Sequence, residues 1–390
     1  MILSKYIIRE QNEATVLKAI IDHYGISRAQ VSTLTHLNKA SVSSITKTLL
    51  DNQLIFEIGI GDASALGGRK PIRLEFNGHA GIGIALDIGY NYITAMMAFL
   101  NGDKIAAKTF DEVDIHASNI MEHLEKIISH FEKIAPETPH GIIGISLAVH
   151  GIVSDNQIAF TPYYDLDKIN LQAILEEKYN YPIILENEAN LTALGEYCFS
   201  DDQQKNVVSV SVHSGIGAGI VLDGKLHTGL NGTAGEIGHT ILVPHGKNCP
   251  CGNHGCLEQY ASNKVLFENY AAQKNLPPIN SDDFTKALQT KEMLAEKLMK
   301  ENMELLAIGL NNVAMMYNPE VIFINSSIYR KNPDWTLRLK EQIHSFVVQD
   351  IVIKNGTLAD LATLYGGIAN LSMNFLNISQ LHFNNPLAQI

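Results

Sequence analysis

Apolar residues recur at helical spacing in the first part of the chain. In NEATVLKAIIDHYG, residues 12–25, they fall on one face of a predicted helix, and Gly25 is a favourable C-terminal stop. The residues of this predicted buried face are Val16, Leu17, Ile20, Ile21 and Tyr24.

Two further helices are predicted directly after the first one. Ser27 and Gln30 have the spacing of a capping box at the start of SRAQVSTLTH, and Val31 and Leu34 form the apolar face of that helix. After a short turn, Asn38 can cap KASVSSITKTLLDNQLI. The inward positions of this third helix are Val42, Ile45 and Leu49.

Two strand-like runs, LIFEIGIGD and KPIRLEFN, flank the glycine-rich ASALGGRKP and predict a wing. Gly67 and Gly68 keep its tip narrow, and Arg69 and Lys70 project from it, which suits an A·T-rich minor groove. Short hydroxyl and lysine side chains point outward from the third helix, as in a recognition helix. The predicted DNA contacts are Ser27, Arg28, Lys39, Ser41, Ser43, Ser44, Lys47, Gly68, Arg69 and Lys70. A small helical domain whose basic loop binds protein is the alternative.

Charge is distributed unevenly along the chain. The 390 residues carry a net charge of −12, but residues 1–77 contain 9 Lys and Arg against 7 Asp and Glu, which gives +2. The remainder carries −14. An acidic body discourages indiscriminate binding of DNA and still permits a local basic contact.

Composition and length indicate a globular protein. The hydrophobic fraction is 46% and the charged fraction 18%, and 390 residues predict two or three domains. No run of about 18 apolar residues predicts a membrane span, and the first residues lack the pattern of a secretory signal. The 4 cysteines do not suggest a disulfide framework. These observations predict a cytoplasmic protein without membrane contact.

Beyond residue 78, glycine-rich turns join pairs of predicted strands. The pairs lie in GIGIALDIGYNYITAMMAFL, IIGISLAVHGIVSDNQI and NVVSVSVHSGIGAGIVLDGKL, and PEVIFINSSIY is a further strand that ends in a polar turn. Such units with helices between them predict an α/β body of two lobes with a cleft. His150 and Gly151, in the second pair, either line that cleft or belong to a core or turn.

Three of the four cysteines lie in the segment GHTILVPHGKNCPCGNHGCLEQ, residues 238–259. One imidazole and three thiolates can form a closed four-coordinate zinc site, which would be structural because no position is left for water. The predicted ligands are His239, Cys249, Cys251 and Cys256. His245 and His254 are nearby alternatives.

The order of these segments resembles the ROK family of repressors and sugar kinases, over essentially the whole body of the chain. The strongest element is AGEIGHTILVPHGKNCPCGNHGCLEQYAS. The resemblance implies an actin-like/hexokinase-like ROK domain after the winged helix-turn-helix, and it assigns the same four zinc ligands. The predicted divisions are residues 1–77 for the head, 78–199 with 367–390 for the first lobe, and 200–366 for the second lobe, with Gly366 and Gly367 at the crossover into the last helix.

The resemblance also implies a sugar site. The implied contacts are Asn187, Glu188, Glu236, His239 and Glu258, with His239 binding zinc through one nitrogen and sugar through the other. Carboxylates suit this role because they accept hydrogen bonds from sugar hydroxyls. Without the resemblance, Glu236 and Glu258 would be interpreted as solvated loop charges.

Three parts that the family's kinases need differ in this chain. The catalytic aspartate is replaced by Glu188, whose extra methylene moves the carboxylate by about 1.5 Å. The phosphate-binding segments contain Tyr90 and His213, and a histidine in place of glycine should obstruct a phosphate. The nucleotide-base strand end has Asn325 and two serines in place of a glycine pair, which should block adenine stacking. We therefore expect a sensor without enzymatic activity.

The resulting prediction is a sugar-responsive repressor that binds operator DNA. A homodimer or dimer of dimers would bind an A·T-rich pseudo-palindrome, and a monosaccharide in the cleft would change DNA affinity. The alternatives are an ATP-dependent ROK sugar kinase with an accessory head, and a zinc-stabilised sugar-binding scaffold whose head binds protein.

Overall fold

The computed structural model describes residues 2–60, 71–162, 164–200 and 204–387, with residues 2–7 and 60 described by their backbone alone. Among these residues, no helix combines the length and the apolar composition that a membrane span requires. The described chain forms a head and two lobes.

The head has the predicted winged helix-turn-helix order of elements. Its three strands form one sheet in the order β1-β3-β2. The elements are α1 (Ile2–Asp22), β1 (Ile26–Ser27), α2 (Arg28–Thr35), α3 (Lys39–Asp51), β2 (Ile55–Ile60) and β3 (Ile72–Phe76). The tip of the predicted wing, including Gly68, Arg69 and Lys70, lies outside the described residues.

Local side-chain bonds explain where the second and third helices of the head begin. The Ser27 hydroxyl accepts from the Gln30 backbone N–H at 3.3 Å, and the Gln30 side chain accepts from the Ser27 N–H at 2.9 Å. Asn38 caps α3 by accepting from the Ser41 N–H at 2.8 Å. Both predicted caps are therefore confirmed.

Three predictions for the head were wrong. Tyr24 follows the end of α1 and is 71% exposed, and Leu34 is 51% exposed, so neither belongs to the core. The first helix begins at Ile2 and not near residue 12. Tyr24 is exposed because the helix has already ended before the next predicted inward position.

The first lobe is built on a five-stranded sheet in the order β10-β7-β4-β5-β6. β4, β7 and β10 are parallel, and β5 and β6 extend the sheet by antiparallel pairing. The elements are β4 (Ile82–Ile88), β5 (Tyr92–Phe99), β6 (Lys104–Asp111), α4 (Ile120–Ile134), β7 (Ile142–Val149), β8 (Ile152–Ser154), β9 (Gln157–Phe160), α5 (Leu171–Lys178), β10 (Ile183–Asn187) and α6 (Glu188–Phe199).

The second lobe has a matching sheet in the order β13-β12-β11-β14-β15, with β11, β14 and β15 parallel. Its elements are β11 (Val207–Val212), β12 (Ile216–Leu222), β13 (Lys225–Leu226), α7 (Glu258–Ala261), α8 (Asn263–Lys274), α9 (Ser281–Gln289), α10 (Met293–Tyr317), β14 (Val321–Asn325), α11 (Ser327–Lys331), α12 (Pro333–Glu341) and β15 (Val352–Asn355). The last helix, α13 (Ala362–Leu376), returns to the first sheet.

The helices α6 and α13 cross between the two sheets. α6 leaves the first sheet and packs on β11 and β12 of the second, whereas α13 follows the second sheet and packs on β4 and β7 of the first. The two helices touch through glycine: a methyl group at Gly366 would lie 1.8 Å from the Leu191 carbonyl oxygen. Gly366 and Gly367 thus lie inside α13, and not at the crossover that precedes it as predicted. The remaining predicted lobe boundaries stay a prediction.

The head packs directly on the first lobe and on the segment after α13. Buried residues of α1 share one apolar cluster with Leu371 and Leu376 of α13 and with Ile378 and Leu381 beyond it. His140 of the first lobe also contacts the head, because its Nε2 lies 2.9 Å from the Asn52 carbonyl oxygen. The head and the first lobe therefore share a continuous apolar core.

Candidate functional site

The carboxyl ends of the parallel strands meet at the cleft between the lobes. In the first sheet, Ile88 of β4 lies opposite Val149 of β7, and Val149 lies opposite Asn187 of β10. In the second sheet, Ser211 of β11 lies opposite Asn325 of β14. Open α/β sheets bind ligands at such strand ends, so this cleft is the candidate functional site.

All five predicted sugar contacts line one cavity of about 110 Å³ in this cleft. They come from both lobes: the β10–α6 junction contributes two, and the loop after β13 and the start of α7 contribute three. The five are Asn187, Glu188, Glu236, His239 and Glu258. Residues more than 70 positions apart therefore converge on one small polar space.

Asn187 holds the junction between β10 and α6. Its side-chain oxygen accepts from the Asn190 N–H at 3.1 Å and so caps α6. Its Nδ2 donates to the Gly151 carbonyl oxygen at 2.7 Å. These two bonds fix the side chain at the wall of the cavity.

Glu188 is buried, with 7% of its surface exposed, and belongs to a cluster of hydroxyl groups. Its Oε1 accepts from Thr192 Oγ1 at 2.9 Å, from Ser211 Oγ at 3.0 Å and from Thr363 Oγ1 at 3.5 Å. These donors lie on α6, β11 and α13. One carboxylate oxygen thus joins the two crossing helices to the second sheet.

The loop that carries Glu236 and His239 runs against β12. A methyl group at Gly235 would lie 1.8 Å from the Ala218 carbonyl oxygen, and one at Gly238 would lie 2.1 Å from the Ile216 carbonyl oxygen. The backbone at Gly235 also has φ = 84°, a conformation that favours glycine. Glycine is therefore required on both sides of Glu236 for the loop to approach the sheet.

The histidine of this loop lies between two carboxylates. His239 Nε2 is 3.6 Å from Glu236 Oε2, and His239 Nδ1 is 3.7 Å from Glu258 Oε1. Burial raises the pKa of Glu236, an effect that His239 opposes and Glu258 reinforces. The cavity thus offers three carboxylates to the hydroxyl groups of a ligand.

His239, Cys249, Cys251 and Cys256 form a cluster that could hold a metal ion, since their ligand atoms all lie within 4.8 Å of one another. The Cys251 and Cys256 sulfurs are 3.7 Å apart, and the Cys249 sulfur is 3.5 Å from His239 Nδ1. A tetrahedral zinc ion with ordinary bond lengths separates two sulfurs by about 3.8 Å, and a sulfur and a nitrogen by about 3.6 Å. These two separations match those of a tetrahedral zinc site.

A hydrogen-bonded group at the first-lobe side of the cavity was not predicted. Tyr92 donates to Asp87 Oδ2 at 3.1 Å, and His150 Nε2 lies 3.1 Å from Asp87 Oδ1. The Tyr92 ring covers the turn after β4, because a methyl group at Gly89 would lie 2.1 Å from that ring. Of the alternatives for His150, the structure favours the cleft: this residue lines the cavity.

The electrostatics of this group follow from burial and the nearby carboxylates. Desolvation alone would lower the pKa of His150, but the charges of Asp87 and Glu188 and the hydrogen bond to Asp87 outweigh it and raise the pKa to about 9. Burial and Asp87 also raise the pKa of Tyr92 well above its ordinary value. Asp87 therefore accepts from two groups that keep their protons at neutral pH.

A second, larger cavity of about 970 Å³ lies between the first-lobe hairpin and the helices α8 and α9. It is lined by Tyr92, His213, Phe267 and Ile279, among others, and it reaches Ser327 at the end of β14. His213 borders this cavity as well as the small one. The polar residues after β14 therefore leave this larger cavity open beside them.

The predicted DNA contacts of the head differ in their exposure. Ser27 is buried, and Arg28 bonds Thr46 Oγ1 at 3.0 Å and Glu57 Oε1 at 2.7 Å, so these two side chains are committed within the head. Ser41 of α3 is half-buried. The exposed candidates on α3 are Lys39, Ser43, Ser44 and Lys47.

The chain matches known proteins over most of its length. A model described as "ROK family" matches residues 83–362. The xylose repressor of Bacillus subtilis (strain 168) is 33% identical over 347 residues, which cover 88% of this chain and 89% of that protein.

Two solved structures have a fold similar to that of this chain, over different shares of its length. A "ROK family transcriptional regulator, homolog of E.coli MLC protein" has a TM-score of 0.82 at 27% identity and covers 95% of this chain and 97% of that one. A ROK family glucokinase from Streptomyces griseus, solved with glucose and AMPPNP, has a TM-score of 0.68 at 23% identity and covers 75% of this chain and 100% of that one. The similarity to the glucokinase concerns the fold alone.

Proposed function

The chain belongs to the ROK family, and from this premise we propose that it is a sugar-responsive transcriptional repressor. One observation carries the proposal. A helix-turn-helix head with exposed lysine and serine side chains on α3 is packed on a two-lobed body, in which all five predicted sugar contacts line one cavity. Such an arrangement has a DNA-binding surface and a small-molecule site in one molecule.

The proposed effector is D-xylose, acting as an inducer. Similarity to a protein named xylose repressor over 88% of this chain supports this choice. The chemistry of the cavity agrees with a neutral sugar, because its carboxylates accept hydrogen bonds from hydroxyl groups. An inducer must bind better to the conformation that does not bind DNA.

We propose that the His239, Cys249, Cys251 and Cys256 cluster holds a structural zinc ion. The distances between the ligand atoms support this identity. When bound, the ion would cross-link the loop and leave no coordination position for water. His239 would bind it through Nδ1, which leaves Nε2 toward Glu236 and the sugar.

A kinase activity is less well supported than sensing. Glu188 stands at the position of the kinases' catalytic aspartate, but its Oε1 already accepts from three hydroxyl groups. The Tyr92 ring covers the turn at Gly89 that the family's kinases use for phosphate. A misplacement of roughly 1 Å at a catalytic group can cost about 10²-fold in rate.

For DNA binding, we propose that α3 enters the major groove and that Arg69 and Lys70 reach the minor groove. Lys39, Ser43, Ser44 and Lys47 are the proposed groove contacts, with Ser41 at their edge. Ser27 and Arg28 are no longer proposed as side-chain contacts. A homodimer or dimer of dimers in the cytoplasm would place two heads on an A·T-rich pseudo-palindromic operator.

Operator binding and its response to sugar test this function. Fluorescence anisotropy with DNA from the chain's own upstream region should give tight, salt-dependent binding that weakens when D-xylose is added. Lys47→Ala should weaken operator binding and lower the salt slope by about 1. Lys297→Ala removes another exposed lysine, from α10, and is the matched control.

Two results would contradict the proposal. Operator binding that is absent or independent of salt would favour the scaffold whose head binds protein. Sustained consumption of ATP with a monosaccharide, measured in a coupled assay across a sugar panel, would favour the kinase.

A further inference from the structure

The small cavity contains many acceptors and few donors. Glu188, Glu236 and Glu258 offer carboxylate oxygens, which accept hydrogen bonds and, when ionised, donate none. The amide of Asn187 already donates to the Gly151 carbonyl oxygen at 2.7 Å. A monosaccharide, however, carries ring and hydroxyl oxygens that accept as well as donate. Among the five predicted contacts, only His239 Nε2 and the second amide hydrogen of Asn187 are left to donate, so a further donor would improve the match.

His150 is a side chain with a donor to offer. It follows the end of β7 and lines the cavity. Its Nε2 lies 3.1 Å from Asp87 Oδ1 and 3.3 Å from the Tyr92 hydroxyl. Its other ring nitrogen, Nδ1, makes no hydrogen bond to any residue that the structure describes.

We propose that His150 binds the sugar by donating a hydrogen bond from Nδ1 to a sugar oxygen, with Asp87 and Tyr92 as positioning residues. This inference rests on the proposed sugar-sensing function. It adds a donor to the five contacts that the family resemblance implies. It also gives Asp87, at the phosphate end of a kinase cleft, a role in binding the sugar.

The surroundings of His150 support this role in two ways. The Tyr92 ring meets the imidazole edge-on, with ring centres 6.2 Å apart, and so limits its rotation. The neighbouring carboxylates raise the pKa of His150 to about 9 against the opposing effect of burial. Both ring nitrogens therefore carry protons at neutral pH, one for Asp87 and one for the sugar.

Two substitutions separate the two nitrogens. His150→Gln keeps a polar group near the Nε2 position and removes the donor at Nδ1, whereas His150→Asn keeps an amide near Nδ1 and loses the reach to Asp87. Calorimetric titration of the zinc-containing protein with D-xylose should show affinity at least about tenfold weaker for His150→Gln. His150→Asn should retain more of the affinity than His150→Gln does.

Deoxy analogues identify the sugar oxygen that is bound. The analogues are 1,5-anhydro-D-xylitol and the 2-, 3- and 4-deoxy sugars. For most of them, the loss of binding free energy caused by the missing hydroxyl group should add to the loss caused by His150→Gln. The analogue that lacks the partner hydroxyl should bind the variant and the wild type equally well, because the interaction is already absent. If all four losses add, the partner is the ring oxygen, and the carbocyclic analogue should give the equal affinities.

A readout on the unmodified chain does not depend on how the variants fold. The ¹⁵N resonance of His150 Nδ1, identified by its absence in His150→Gln, should shift when D-xylose saturates the protein. Wild-type affinity for D-xylose in His150→Gln, or an unshifted resonance in saturated wild type, would overturn the inference. A wild type that binds no monosaccharide in the calorimeter would instead contradict the proposed function.

Discussion

The ion pair between Asp87 and His150 is buried in the cleft, where a charge is costly without a partner. Only 20% of the His150 side chain is exposed. The raised pKa of His150 means that the folded protein binds this proton more tightly than the unfolded chain does. Stability must therefore depend on pH through this pair.

The sign of this dependence follows from the direction of the shift. The stabilisation is fully present below the unfolded pKa of about 6.5 and is lost as pH rises through about 9. We expect Asp87→Asn to lower the free energy of unfolding at pH 6.5, by up to about 3 kcal/mol, and by much less at pH 9.5. Urea unfolding at the two pH values measures the difference.

The titratable groups around His150 include Asp87, Glu188, Tyr92, Tyr164 and His213. Tyr92 keeps its proton in this range because its pKa is raised. Asp103→Asn is the matched control, since it breaks a pair with His79 in which both side chains are 55% exposed and screened by solvent. An equal destabilisation by Asp87→Asn at both pH values would contradict the electrostatic role.

The position of His150 could have been predicted more firmly from the sequence than it was. His150 directly follows a predicted strand, as Asn187 ends one, and carboxyl ends of parallel strands share one edge of a sheet. The role of Tyr92 could not have been predicted from the sequence. Its ring folds back over Gly89, and it reaches Asp87 only because of the register of the β4–β5 hairpin. Sequence periodicity predicts which face of a strand a side chain occupies, but it does not predict the direction in which that side chain then extends.

At the level of elements, the His239, Cys249, Cys251 and Cys256 cluster could be predicted because its members are close together in the sequence. The crossing of α6 and α13 could not, since each helix follows one sheet in the sequence and packs on the other. The start of α1 was also missed: its first ten residues include an apolar position, Ile8, that is exposed. Exposed apolar residues break the pattern from which a buried helix face is predicted.

The loop between His239 and Cys256 should depend on its metal. We expect Cys251→Ser to lower bound zinc, measured by mass spectrometry, to lower the melting temperature, and to weaken binding of D-xylose by about tenfold, because His239 and Glu258 flank the cluster. Operator binding without sugar should change little, since the head packs on the first lobe and the α13 end of the chain.

Cys198→Ala separates loss of zinc from general destabilisation. Cys198 is fully buried in another cluster and is not a predicted ligand. This variant should lower the melting temperature while zinc and D-xylose affinity stay at wild-type levels. Full zinc content in Cys251→Ser would show that the cluster is not the metal site.

At the scale of the whole molecule, binding of a sugar in the cleft must affect the DNA-binding residues of the head, which lie at the other end of the chain. α13 has 15 residues and is about 22 Å long. Near its start, Thr363 Oγ1 lies 2.8 Å from Thr192 Oγ1 and 3.5 Å from Oε1 of Glu188, which lines the candidate cavity. At its end, Leu371 and Leu376 share an apolar cluster with α1 of the head. A single helix thus connects the cavity with the apolar core of the head.

Glu188 connects this helix to the cleft, because the same carboxylate oxygen that binds Thr363 also binds Ser211 of the second lobe. A closing movement of the lobes would displace that oxygen and the α13 end attached to it. The coupling free energy between sugar and operator is the measure of this connection. It equals the change in operator affinity that saturating sugar produces.

We expect Thr363→Val to reduce this coupling by at least about fivefold and to change D-xylose affinity and sugar-free operator affinity little. Thr363→Ser keeps the hydroxyl and should restore coupling. Thr285→Val is the matched control, because Thr285 is a buried threonine whose hydroxyl has no partner among the described residues. Anisotropy titrations of operator DNA with and without D-xylose measure all four proteins. If Thr363→Val retained the full response, the signal would have to pass around α13. The segment after α13 would then be the next route to test, because Gln380 donates to the Asp223 carbonyl oxygen of the second lobe at 2.7 Å and Ile378 and Leu381 share the apolar cluster of the head.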